Sequence, residues 1–153
     1  MTELKLRAAT ERDLDVLVDF NAAMALETEA LTLDRARLRA GVAALLADPA
    51  KGRYTVAERA DEVVGALMLT REWSDWRCGD WWWIQSVYVH PSARRAGVFR
   101  ALFERAAAEA RADPGVCGLR LYVERDNLRA QATYRALGMQ ETHYRLYEIS
   151  TRG

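Results

Sequence analysis

Cysteine is almost missing from this chain: Cys78 and Cys117 stand alone and match no metal or redox spacing. A disulfide scaffold and a bound metal are therefore not expected, and a reducing cytosol is the natural compartment. Prolines number three, and no Pro/Gly/Ser-rich linker, repeat or low-complexity segment interrupts the 153 residues. A single domain, 1–153, is expected, large enough to bury about two thirds of its unfolded surface. Neither sign of charge is in excess, with 22 basic and 22 acidic residues. That balance lacks the electrostatic footprint of a nucleic-acid binder. No segment approaches the ~18 consecutive apolar residues of a membrane span. The opening "MTELKLRAATERDLD" is charged and lacks the apolar run of a signal peptide. The expectations are a cytoplasmic protein without a membrane or nucleic-acid partner.

What the chain has in plenty is local pattern. "LKLRA" alternates as a strand, and Thr10 with Asp13 opens a helix on which Leu14, Leu17, Val18, Asn21 and Ala25 share a face. A second amphipathic helix follows Asp34, using Leu38, Val42, Leu45 and Leu46, and stops at "ADPAKG". Period two then takes over in "RYTVAE" and "EVVGALMLT", joined as a hairpin. "EWSDWRCGD" reads as a polar turn, and "WWWIQSVYV" as a strand covered on both faces. All five tryptophans lie in this stretch, at positions 73, 76 and 81–83. Val98, Phe99, Leu102, Phe103, Ala106 and Ala110 mark another helix, "LRLYVE" a strand, and "NLRAQATYRALG" a helix stopped by Gly138. "YRLYEIS" reads as a last strand. The order β-α-α-β-β-β-α-β-α-β describes an α/β (α+β) fold with a mixed central sheet flanked by helices.

Chemistry concentrates at "VYVHPSARRAGVFRAL", where a buried strand ends, a short turn holds Arg94, Arg95 and Gly97, and a helix begins. The first N–H groups of a helix have no intrahelical partner and sit at the positive end of its dipole. With two arginines, and a glycine that admits close backbone approach, they suit a pyrophosphate. A plain strand–helix turn with solvated arginines has the same sequence signature.

The stretch Arg94-Arg95-Ala96-Gly97-Val98-Phe99 resembles the R/Q-x-x-G-x-G/A acyl-CoA loop of the GCN5-related N-acetyltransferases (GNAT). Asn127, Ala130, Tyr134 and Gly138 match that family's N-x-x-A-x-x-x-Y-x-x-x-G pattern, and the element order agrees from end to end. The resemblance implies an acetyl-CoA-dependent N-acetyltransferase. In it, pantetheine slots between "SVYV" and "LRLYVE", held by main-chain groups from Val87 through Tyr88 to Val89. The amides from Arg95 to Arg100, with Arg94, would hold the pyrophosphate, and Asn127, Ala130 and Tyr134 complete the cofactor set. A bound amine attacks the thioester directly, the N–H of Val87 stabilises the carbonyl oxygen, and Tyr134 protonates the departing thiolate. Phe99 departs from the motif's Gly or Ala, and its ring is expected in the Phe99/Leu102/Phe103 stripe. Gln85 stands where some relatives place a glutamate base; an amide can only orient a water.

The acceptor is expected beside "ALETEALTLD" and "TREWSDWRCGDW". Glu27, Glu29, Glu72 and Asp75, with the indoles of Trp73 and Trp76, suit a cationic small-molecule amine of polyamine or amino-acid type. Arg71 and Arg77 suit an acceptor that also carries a carboxylate. Alternatives are a protein or peptide N-acetyltransferase and a non-catalytic acyl-CoA-binding module. Family members often pair through edge strands, so a homodimer through "HYRLYEIS" is compatible with this reading.

Overall fold

The computed structural model describes residues 3–152. They divide into two compact units, Met1–Leu121 and Tyr122–Gly153.

The first unit is built on a five-stranded sheet in the order β1-β2-β3-β4-β5. Its strands are β1 (Lys5–Ala8), β2 (Arg53–Arg59), β3 (Glu62–Ser74), β4 (Gly79–Val89) and β5 (Val116–Arg120). The first four pair antiparallel, and β5 joins β4 in parallel. Helices α1 (Leu14–Glu29) and α2 (Arg35–Ala47) cover one face. On that face Leu17, Val18, Phe20 and Val42 pack with Tyr54, Val56, Ala66 and Tyr88 in the core. Helix α3 (Val98–Ala112) covers the opposite face. Gly65 lies beneath it, where a Cβ would come within 2.8 Å of the Val98 side chain. Leu102, Phe103, Ala106, Ala107 and Ala110 give α3 its buried stripe, as the 3.6-residue period predicts.

Thr10 and Asp13 do open the first helical segment, through a 3-10 turn over Glu11–Asp13 that runs into α1. Asp13 accepts from the Thr10 N–H at 2.7 Å and pairs with Arg7 at 2.8 Å. Asp34 caps α2, its Oδ1 accepting from the Arg37 N–H.

Two expectations need correction. The polar turn "EWSDWRCGD" is mostly strand: β3 runs to Ser74 and β4 starts at Gly79, leaving a four-residue tip at 75–78. Cross-strand pairing from Glu72↔Trp81 to Ser74↔Gly79 overrides the polarity of the sequence. The strand expected over "LRLYVE" lies earlier, because β5 is fixed by its register against Asp80–Trp83 and ends at Arg120.

In the second unit, helix α4 (Leu128–Ala136) is capped by Asn127, whose side chain accepts from the Ala130 N–H at 3.1 Å. It ends in a Schellman turn: the Met139 N–H bonds the Tyr134 carbonyl, and Gly138 takes φ 96°. The run 144–150, expected as a last strand, has no regular secondary structure, and its apolar members Tyr144, Leu146, Tyr147 and Ile149 are exposed. Alternation supplies a face but not a partner, and among the described residues no strand pairs with this segment.

Candidate functional site

Strand β4 organises the site. Its parallel pairing with β5 stops at Trp83↔Arg120, while β4 continues six residues further to Val89. The two strands therefore part company beside Ile84–Val89, where the resemblance puts pantetheine. Along its other edge β4 carries a bulge. Gln85 pairs Met68 and Tyr88 pairs Ala66, so β4 uses three residues where β3 uses two. Ser86 takes the extra place in the left-handed region, φ 49°. The bulge rephases the strand, putting Gln85 and Tyr88 on one face although they are three apart. Sequence alternation alone could not reveal this extra residue, because serine has no particular preference for positive φ.

After Val89 the chain makes a 3-10 turn over Pro91–Ala93 and reaches α3 through Arg95 and Gly97, both left-handed at φ 64° and 80°. Gly97 is the N-cap residue of α3 and offers no side chain to cap it. The first-turn amides of α3 thus meet no side chain from the cap position, and space around Gly97 is open. The donor set, the helix dipole and the adjacent Arg95 fit a pyrophosphate. Phe99, the departure from the motif, stacks with Phe103 at 6.3 Å between ring centroids. Its ring therefore runs along the helix, while Leu102 and Phe103 are buried.

Arg94 is held from two sides. Its Nε donates to the Val89 carbonyl at 3.0 Å, and its Nη2 pairs with Glu27 at 2.8 Å. Tyr88 donates to the other oxygen of Glu27 at 3.0 Å, and the Arg94 guanidinium lies over the Tyr88 ring. Glu27, at the end of α1, is thereby tied to the end of β4. The Arg94 hydrogen bond, assisted by that of Tyr88, holds its carboxyl below the usual range. Sequence reading placed Glu27 with the acceptor and Arg94 with the pyrophosphate; their mutual pair joins those two regions.

Further along β4, Glu72 accepts from the Trp83 ring N–H at 2.9 Å and from Arg120 at 3.1 Å. Arg120 also stacks on Trp81 at 3.8 Å, with Arg77 over the same ring at 5.0 Å. Gln85 donates to the Thr70 hydroxyl at 2.6 Å. Trp81 and Trp83 share this face, and Trp82 takes the other, buried under Arg53, which in turn pairs with Glu109 of α3. The register places Trp73 with Trp82, opposite Glu72, and both Trp73 and Trp76 are exposed. Glu72 thus meets Trp81 and Trp83 of the strand rather than Trp73 or Trp76. Asp75 sits at the hairpin tip and Glu29 ends α1; the structure does not bring either to Glu72.

In the second unit, Asn127 and Ala130 meet in the cap of α4, and Tyr134 lies two turns along the same helix. Tyr134 is half-buried, and burial pushes its phenol upward, so it stays protonated at neutral pH. Among the described residues, no group of three or more His, Cys, Asp or Glu could hold a metal ion. No described helix is long and apolar enough to cross a membrane.

The family model for the acetyltransferase (GNAT) family matches residues 15–139. No curated protein matches the chain. Among solved structures, a possible acetyltransferase from Clostridium difficile 630 is 45% identical, with TM-score 0.93, covering 98% of this chain and 99% of that one. A predicted acetyltransferase from Clostridium acetobutylicum, solved with acetyl-CoA, shares the fold at 17% identity and TM-score 0.78, covering 96% of each chain. A GCN5-related N-acetyltransferase from Ralstonia eutropha JMP134 shares it at 24% identity and TM-score 0.75, covering 96% of this chain and 99% of that one.

Proposed function

Because the chain belongs to the GNAT acetyltransferase family, we propose that it moves an acetyl group from acetyl-CoA to a primary amine of a small molecule, by direct attack in a ternary complex. The observation that supports this reading most is the β4 arrangement: a strand that parts from β5, bulges at Ser86, and leads into an uncapped helix N-terminus. Acetyl-CoA supplies the activated acyl group. The open edge of β4 from Val87 to Val89 takes the pantetheine amides, and the turn from Arg95 to Arg100 takes the pyrophosphate. Val87 N–H donates to the thioester oxygen as charge grows there. The amine nitrogen bonds to the acyl carbon, the carbon–sulfur bond breaks, and Tyr134 gives its proton to the thiolate. A protonated phenol with a raised pKa is the correct starting form for that step.

The nitrogen's own proton leaves to water. Glu27 is engaged by Arg94 and Tyr88, and Glu72 by Trp83 and Arg120, so neither carboxylate serves as general base. Gln85, bonded to Thr70, orients water on the same face. The acceptor lies along this face, where Glu72 and Arg120, paired at 3.1 Å, present a carboxylate and a guanidinium to an acceptor that carries both an amine and a carboxylate.

The test is thiol release from acetyl-CoA across polyamines, amino acids and aminoglycosides, with peptides as competitors. Absence of acetyl-CoA binding would refute the reading, and peptides outcompeting every free amine would move the acceptor to protein. Tyr134→Phe should lower kcat by about a hundredfold while acetyl-CoA binding holds. An equal rate removes Tyr134 as the acid.

A further inference from the structure

The edge of β4 that a donor needs already has an occupant. Just past the end of the strand, the His90 N–H bonds the Val64 carbonyl at 2.8 Å. Hydrogen-bonded and non-hydrogen-bonded pairs alternate along an antiparallel ladder, so the neighbouring pair Gly65↔Val89 turns its N–H and C=O groups away from the partner strand. The Val89 carbonyl therefore faces the opposite edge of β4, where pairing with β5 has ended at Trp83↔Arg120. An unpaired edge carbonyl accepts from whatever donor lies beside it. Here the donor is Arg94, whose Nε reaches the Val89 oxygen at 3.0 Å.

Glu27 keeps Arg94 in that position. Its Oε2 accepts from Arg94 Nη2 at 2.8 Å, and its Oε1 accepts from the Tyr88 hydroxyl at 3.0 Å. Tyr88 is itself buried, its ring 5.1 Å from that of Phe20 on α1, and the Arg94 guanidinium lies 5.3 Å from the Tyr88 ring centre. A carbonyl, a carboxylate and a ring thus hold Arg94, and all three belong to β4 or to the end of α1. The ion pair is open to water, its side chains 45% and 41% exposed. Such a pair can fix a side chain in the free protein and still yield to a ligand.

We propose that Arg94, held by Glu27, is an internal competitor for pantetheine: it occupies the Val89 carbonyl in the free protein and gives it up when the donor seats. This inference rests on the acetyl-transfer reading, in which the pantetheine amides run along that edge. A ligand that binds only the open form loses apparent affinity in proportion to the closed fraction. For an exposed ion pair that loss is about threefold. The sign separates a competitor from a clamp, because a pair that held the turn ready for the donor would weaken binding when broken.

Acetylpantetheine is the probe, since without a pyrophosphate it gains nothing from an arginine–phosphate contact. Calorimetric titration without acceptor gives its Kd. Glu27→Gln removes the charge that holds Arg94 and should tighten acetylpantetheine about threefold. Arg94→Ala removes the competitor itself and should tighten it by a similar factor. The double variant should match either single one, because both changes open the same contact. A second readout follows Arg94 directly: its Nε–H, observed by nitrogen-15 NMR, should exchange slowly in the free protein, faster in Glu27→Gln, and shift when acetylpantetheine saturates the chain. Weaker binding in both variants, additive effects in the double variant, or an Arg94 signal indifferent to the donor overturns the proposal. An equal Kd for all four chains sinks the competitor alone. If neither acetylpantetheine nor acetyl-CoA binds any of them, the acetyl-transfer reading fails and the competitor fails with it.

Discussion

Gly118 has no side chain because Trp81 fills the space: a Cβ there would meet the indole at 2.5 Å. The ring cannot shift cheaply, since Arg120 and Arg77 both stack on it and Arg120 is tied to Glu72. Gly118→Ala should therefore cost about 1–3 kcal/mol, read as a lower urea midpoint at unchanged slope. A second residue-scale prediction concerns acid. Asp13 has a side chain only 5% exposed, and hydrogen bonds from Arg7, offset in part by burial and aided by the Thr10 N–H, hold its carboxyl below the usual range. A depressed folded pKa means stability that is complete above the unfolded value of 3.8 and is lost as pH falls through the folded one. Asp13→Asn should cost about 2 kcal/mol at pH 7, and that gap should narrow in urea melts repeated below about pH 4. Sequence reading found Thr10 and Asp13 as a helix start, since capping is local chemistry. It could not find Arg7 as the partner, because that pair depends on how β1 enters the sheet. Gly118 was equally silent, its role set by a ring from another strand.

At the scale of elements, periodicity located α1, α2, α3 and strands β2 to β4, because each buries residues on one or both faces. Strand β1 and helix α4, which have no buried residue, were located by alternation and by the stop at Gly138. Gly138 was legible as a stop because a left-handed C-terminal residue is a local demand. Two things were illegible. The bulge at Ser86 is a mismatch between two strands, visible only when both are paired. The segment 144–150 alternates as well as β1 does, yet it pairs with no strand among the described residues. A strand is stable through its ladder, so alternation without a partner leaves extended chain. Backbone amides over 144–150 of the monomeric chain should accordingly exchange at close to the free rate, while those of β3, paired on both sides, exchange with the global unfolding. Hydrogen exchange with mass analysis across a dilution series checks this. Slow exchange at 144–150 under the most dilute condition would contradict it, and protection that grows with protein concentration would identify a second copy as the missing partner.

For the whole molecule, the balance of 22 basic and 22 acidic residues decides how an anionic ligand is held. With no net field, attraction for a pyrophosphate must come from the local donors, the first turn of α3 with its uncapped amides and Arg95 beside it. Arg94 contributes less than its position in the motif suggests, because Glu27 already neutralises it. Affinity should therefore depend mainly on backbone geometry, and this can be read from the stability of the chain. A ligand that binds only the folded state at a hundred times its Kd stabilises by about 2.7 kcal/mol. For a chain of this length, that should raise the unfolding midpoint by about 5–10 °C. Acetyl-CoA should give this shift, and acetylpantetheine, which lacks the pyrophosphate, should give much less at equal concentration. Raising the salt should shrink the acetyl-CoA shift only modestly, since bonds to fixed amides are screened less than a diffuse basic field. Equal shifts from both donors would show that the turn from Arg95 to Arg100 does not hold the pyrophosphate. A shift abolished by moderate salt would instead assign the binding to the arginine side chains and not to the helix end.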